Sequence, residues 1–251
     1  MMEHVDTMRF LARLDACFAE NDLKQARIHI AHWEQEARRL GDDRGLLTIL
    51  NEAVGVFRRT QKKSKALAVT KECLHLIEKL GLYGTLSGAT ILVNAATTLS
   101  FFGNEEQAIL LYDEAADCFE KNQRKDTFEY ASLLNNRAGT FYAMKRYDEA
   151  EKDWKTAIEI LRKIDGHDGE IAISLVMLAH VTFDRDETAY DATEALLDEA
   201  WECINAESQP RDGNYAYVLR KCAPSFDYFQ RPIEAQALRE VAQEIYAENR
   251  L

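Results

Sequence analysis

Small, aromatic and aliphatic residues recur along this chain at intervals of i, i+4 and i+7, with charged residues filling the positions between. Ala108, Tyr112 and Ala115 mark one such stripe, and Ala150, Trp154 and Ala157 mark another. That spacing is one face of an α-helix. Laid over each other, Leu92–Phe119 and Leu134–Leu161 carry the same residue types in the same columns at a displacement of 42 residues. Self-similarity at a fixed period signals stacked supersecondary units, none of which can bury its apolar face alone. The pattern predicts an all-α chain of six antiparallel helix pairs at 3–40, 44–80, 86–121, 128–164, 170–205 and 213–249. Each unit packs only on its neighbours, so one continuous body over residues 1–251 is expected.

The pairs differ in how closely they follow the pattern. The first breaks at Asn21-Asp22 and matches loosely, as a terminal unit does when one face meets water. The second carries Ala66, Cys73, Leu74, Ile77 and Leu80 as its stripe. The fifth sets Phe183 and Ala192 in register with Phe141 and Ala150, while His180 takes its small column with Ala179 beside it, leaving the register open by one residue. In the sixth, Ala223, Phe226, Ala235 and Ala242 recover the pattern, and Pro224 is expected to bend or shorten its helix. All three prolines (Pro210, Pro224, Pro232) fall late in the chain, so nothing earlier breaks a helix outright. GLYGTLSG at 81–88 reads as a turn and a candidate hinge.

Charge and cysteine usage narrow the function classes. A net charge of −12 argues against a nucleic-acid or anionic-membrane surface. The five cysteines are widely spaced and mostly lie in apolar stretches, which reads as reduced core residues of a cytoplasmic protein. MMEHVDTMRF lacks the basic start and apolar run of a signal peptide, and no stretch approaches a membrane span. His29 and His32 stand one turn apart with Glu36 following, but no further Cys or His completes a metal site, and packing is the expected role. Asp168, beside His167, is expected to cap the helix that follows. With no phosphate loop, nucleophile elbow or paired-cysteine motif, neither catalysis nor a cofactor is expected.

The columns Ala138, Phe141, Tyr147, Ala150, Trp154 and Ala157, with Ala96, Leu99, Ala108, Tyr112 and Ala115, resemble those of tetratricopeptide-repeat proteins. The usual period of that family is about 34 residues; the longer one here, with its Leu134-Asn135-Asn136, resembles kinesin light chain and many bacterial repeat proteins. The resemblance implies a right-handed α-solenoid whose first helices line a concave groove for a peptide of another protein. It therefore implies a non-catalytic interaction scaffold. Two other roles fit the same fold: a homo-oligomeric structural module, for which Trp201 or Tyr246 would be contact residues, and a sensor of a short signalling peptide.

Residues just outside the packing columns of the first helices are the candidate contacts. Asn94 and Asn136 share one column, with Glu52 before them and Lys221 in the last unit; Asn51 adjoins Glu52. A side-chain amide both donates and accepts, so it can pair with any peptide backbone. Gly55, Thr97 and Gly139 fill a neighbouring column. Glycine within a helix costs about 0.5–1 kcal/mol relative to alanine, so close approach of a ligand or of an adjacent helix is expected there. Tyr142 would add aromatic floor, and Arg58 with Lys221 would hold a carboxylate of the partner. The set is Asn94, Asn136, Gly139, Tyr142, Asn51, Glu52, Lys221 and Arg58.

Overall fold

The computed structural model describes residues 4–207 and 209–248, so the outer ends expected at 3 and 249 lie outside the described residues. Among the described residues there are twelve α-helices and no strands: α1 (Thr7–Ala19), α2 (Leu23–Leu40), α3 (Asp43–Arg59), α4 (Lys63–Lys79), α5 (Leu86–Phe101), α6 (Glu105–Lys121), α7 (Phe128–Ala143), α8 (Tyr147–Leu161), α9 (Asp168–Arg185), α10 (Tyr190–Ile204), α11 (Gly213–Tyr228) and α12 (Pro232–Glu248). The fold class is all-α, as the period predicts. The helices gather into two compact units, one up to Arg124 and one from Lys125 onward.

Within a pair, the two helices share the residue that joins them. In α3–α4 the Lys62 N–H donates to the Phe57 carbonyl at 2.9 Å, closing α3, and the Lys62 carbonyl accepts from the Ala66 N–H at 2.9 Å, opening α4. Asn104 does the same between Leu99 and Ala108, and Arg146 between Phe141 and Ala150. Asp22 and Arg231 repeat it in the first and last pairs. The backward bond is the Schellman closure, which requires a left-handed residue just before it. Gly103 fills that place with φ 84°, but Asn21, Gln61, Lys145 and Gln230 fill it with φ between 53° and 60°.

The residue four places past each shared turn packs against the partner helix, which is why it is small. Ala26, Ala66, Ala108, Ala150 and Ala235 have no exposed surface. One turn further, Tyr112 in α6 and Trp154 in α8 are buried as the bulky members of their stripes. A fully buried aromatic of this size contributes about 2–3 kcal/mol by removal from water, so these positions anchor their pairs.

The fifth pair departs from the expected register. Its turn lacks a left-handed residue: Asp186 is extended, and α10 opens at Ala189, whose carbonyl accepts from Thr193 at 3.0 Å. The buried stripe is Thr193, Leu197 and Ala200, and Ala192 is exposed. In α9 the small buried residue is Ala179, which leaves His180 half-buried beside it.

Of three local expectations, the cap and the shortened helix change and the turn holds. Asp168 is the first residue of α9 and not its cap; His167 holds that place without a side-chain bond, and Asp168 acts only as an acid in the first turn. Pro224 does not shorten α11, which has 16 residues like α5 and α7 and runs on to Tyr228 with the proline on its exposed side. GLYGTLSG is a bonded turn. The Leu82 carbonyl accepts from Thr85 Oγ1 at 2.7 Å, and a Cβ at Gly88 would overlap that carbonyl.

Candidate functional site

In the first unit, α3 and α5 present the polar column side by side. Asn94 Nδ2 donates to Asn51 Oδ1 at 2.9 Å, and Asn51 Nδ2 donates to Glu52 Oε1 at 3.3 Å. The two amides and the carboxylate form one relay on adjacent helices, half-buried at each residue. Burial pushes the Glu52 carboxyl above its usual range, opposed by the Asn51 bond and raised further by Asp15. Arg58 is directed elsewhere: its Nη1 donates to Thr98 Oγ1 at 3.1 Å, so part of the guanidinium serves α5.

The glycine column resolves into open space. A Cβ added to Gly55 or to Gly139 would meet nothing within 4 Å, so no neighbouring helix is the reason for either glycine. Between them in the sequence, Thr97 is used differently. Its hydroxyl donates to the Val93 carbonyl at 2.7 Å and accepts from Tyr112 at 2.9 Å.

In the second unit the expected residues spread over two helices. Asn136 is exposed on α7 and turns its amide back to the Ser132 carbonyl at 2.9 Å. The amide that links neighbouring first helices is Asn135, whose Oδ1 accepts from buried Ser174 of α9 at 2.8 Å. Gly139 follows Asn136 by three residues on α7. Tyr142, one turn beyond, donates to Asp184 Oδ2 on α9 at 2.7 Å and lies 6.1 Å from the Trp154 ring. Burial first, then this bond, raises the Tyr142 phenol well above its usual value. Lys221 is exposed on α11, with Nζ 5.7 Å from the Tyr217 ring.

Sequence reasoning brought together Asn51, Glu52 and Asn94 but missed Asn135, Ser174 and Asp184. The signal for Asp184 was present, since it stands 42 residues after Tyr142 in the same column. Trp201 and Tyr246 are half-buried; Trp201 packs edge-on to Phe226 at 5.8 Å, and Arg220 lies over the Tyr246 ring.

The thiols are not poised for chemistry. Cys17, Cys73, Cys118 and Cys222 are buried, and burial pushes Cys73 and Cys222 to about 12 and half-buried Cys203 to about 11. A thiol held that high stays protonated and weakly nucleophilic. His29 Nε2 donates to the Phe10 carbonyl at 3.0 Å, and its ring stacks on the Phe10 ring at 5.3 Å. Among the described residues no cluster of three or more His, Cys, Asp or Glu could hold a metal ion, and no helix is long and apolar enough to cross a membrane.

Residues 129–189, from α7 to the turn before α10, match the tetratricopeptide repeat family model. No curated protein matches the chain by sequence. Among solved structures, BtubC (BKLC) from P. vanneervenii is similar with a TM-score of 0.60 at 17% identity, over 90% of this chain and 92% of that one. A Rap protein complexed with Competence and Sporulation Factor is similar with a TM-score of 0.60 at 17% identity, over 96% and 75%. Bacillus thuringiensis PlcR in complex with the peptide PapR7 and DNA is similar with a TM-score of 0.60 at 14% identity, over 92% and 73%. That last complex leaves the expectation of no nucleic acid resting on net charge alone. Residues 129–189 are thus a tetratricopeptide-repeat segment, within a chain whose fold is that of the tetratricopeptide-repeat-like helical solenoids.

Proposed function

We propose that the chain is a non-catalytic interaction module of the cytoplasm that holds a peptide segment of a partner along the exposed faces of its first helices. The observation that carries this reading is the open space beside Gly55 and Gly139. Glycine inside a helix costs about 0.5–1 kcal/mol. No packing neighbour offsets that cost here, whereas a ligand backbone approaching α3 or α7 would use the space. The Asn51–Asn94 pair supports the same reading, because each amide keeps hydrogen-bonding capacity beyond the bond between them. The peptide PapR7 in the PlcR complex agrees with it, and a short signalling peptide is one form such a ligand would take.

Anisotropy of labelled, capped octapeptide pools tests the proposal. Binding to the wild type that is lost in Gly55→Leu and Gly139→Leu, with thermal stability retained, is the expected result. Failure of every pool to bind, or equal binding by all three proteins, overturns it. Self-association is the second reading. It is favoured by Met8 and Ile28 on the first pair, 79% and 55% exposed, and sedimentation of a Met8→Glu/Ile28→Glu variant tests it.

A further inference from the structure

Helix α9 turns His180, Phe183 and Asp184 to one side, at i, i+3 and i+4. The end of α11 meets them there. The His180 ring lies 4.9 Å from Tyr228 and 4.8 Å from Phe229, and its Nε2 is 3.1 Å from Ser225 Oγ. Phe183 stands 6.3 Å from Tyr228 and 5.7 Å from Phe229, nearly perpendicular to both. Tyr228 and Phe229 are themselves at 88° to each other. The rings therefore make a corner of differently oriented faces, and Tyr228 remains 54% exposed in it. Asp184 closes the corner on the α7 side, where it accepts the Tyr142 hydroxyl.

The charges around this corner are one-sided. Asp184 is exposed and makes no ion pair among the described residues. The cation next to it, Arg185, is bound to Asp148 and Glu151 on α8. On α11, Asp227 is held by Arg239, and Lys221 lies over Tyr217. What is left is a carboxylate without a counter-ion beside several π-faces. Aromatic faces attract cations through their quadrupole, and a carboxylate adds a charge-assisted hydrogen bond.

We propose that this corner of the second unit, built by His180, Phe183, Asp184, Tyr228 and Phe229, receives an arginine or lysine side chain of the bound peptide. The proposal rests on the peptide-binding reading above and supplies the chemistry of the partner. The net charge of −12 steers such a basic segment toward the protein. The site selects a basic partner residue.

The test uses capped octapeptide pools of identical mixture with one fixed residue, Arg, Lys, Gln, Leu or Glu, titrated into the full chain and into Asp184→Asn and Tyr228→Ala. Circular dichroism confirms that the variants are folded. The expected result is that the Arg and Lys pools bind about tenfold more tightly than the Gln pool. That preference should collapse in Asp184→Asn, weaken in Tyr228→Ala and shrink with added salt. Pools that bind without preferring Arg or Lys, or a preference unchanged in Asp184→Asn, overturn the cation site and leave peptide binding standing. If no pool binds, both proposals fall.

Discussion

Arg137 and Asp153 form a two-pronged ion pair across the α7–α8 pair, Nε to Oδ2 at 2.7 Å and Nη2 to Oδ1 at 3.0 Å, with side chains only 17% and 8% exposed. Asp153 sits immediately before Trp154 on the buried side of α8. Removing one member breaks a largely buried pair, which typically costs about 3–5 kcal/mol. Asp153→Ala should therefore lower the urea midpoint strongly. Arg137→Met/Asp153→Leu, which removes both charges and keeps the volume, should recover most of the loss.

The helical glycines separate into two kinds that substitution distinguishes. At Gly55 and Gly139 a methyl group enters open space, so alanine should stabilise the chain by about 0.5–1 kcal/mol at each. At Gly88 it would collide with the Leu82 carbonyl, a backbone atom that cannot swing aside. Gly88→Ala should destabilise, and thermal melts of the three variants provide the comparison.

His180 links stability to pH. Burial lowers its pKa below the ordinary 6.5, with Asp184 acting in the opposite direction. The unfolded chain therefore binds the proton more readily than the folded one. Stability is full above about pH 6.5 and falls as the pH drops through the lowered value of the folded state. His180→Gln has no such proton to bind. The stability gap between wild type and this variant should shift in the variant's favour from pH 7.5 to pH 5.5, as read by urea unfolding at each pH.

Non-glycine residues in the left-handed turns carry a backbone penalty. Lys145 has φ 59° and Gln61 φ 53° in positions where Gly103 stands in the pair between them. The left-handed conformation costs an L-residue about 1–2 kcal/mol, part of which returns as the greater unfolded-state freedom of glycine. Lys145→Gly and Gln61→Gly should each gain up to about 1 kcal/mol, observed as a higher melting temperature.

The all-α class and the helix pairs were legible because the Ala–aromatic–Ala stripe is a packing requirement, repeated wherever two helices must come close. Register was legible only where the turn keeps its length. Between Asp186 and Ala189 the turn is built differently, and this moves the buried stripe from Ala192 to Thr193. Column reasoning also treated Asn94 and Asn136 as equivalents. A side-chain amide bonds whatever acceptor its rotamer reaches, so Asn94 found Asn51 while Asn136 found a carbonyl of its own helix. The Asp184 carboxylate was not legible because an acid near the end of a helix reads as a solvated group. The Arg137–Asp153 pair was missed because an aspartate on an amphipathic helix reads as solvent-facing.

The shared turn residues have a consequence for how such a chain can be rearranged. Lys62, Asn104 and Arg146 each finish one helix and start the next using only backbone groups within five residues on either side. A block that runs from one of these points to the next brings a shared residue to one end and finds its equivalent at the other. Duplication, deletion or exchange of whole blocks between them remakes the same backbone junction, so recombination can lengthen or shorten the array while point substitutions adjust the faces it displays.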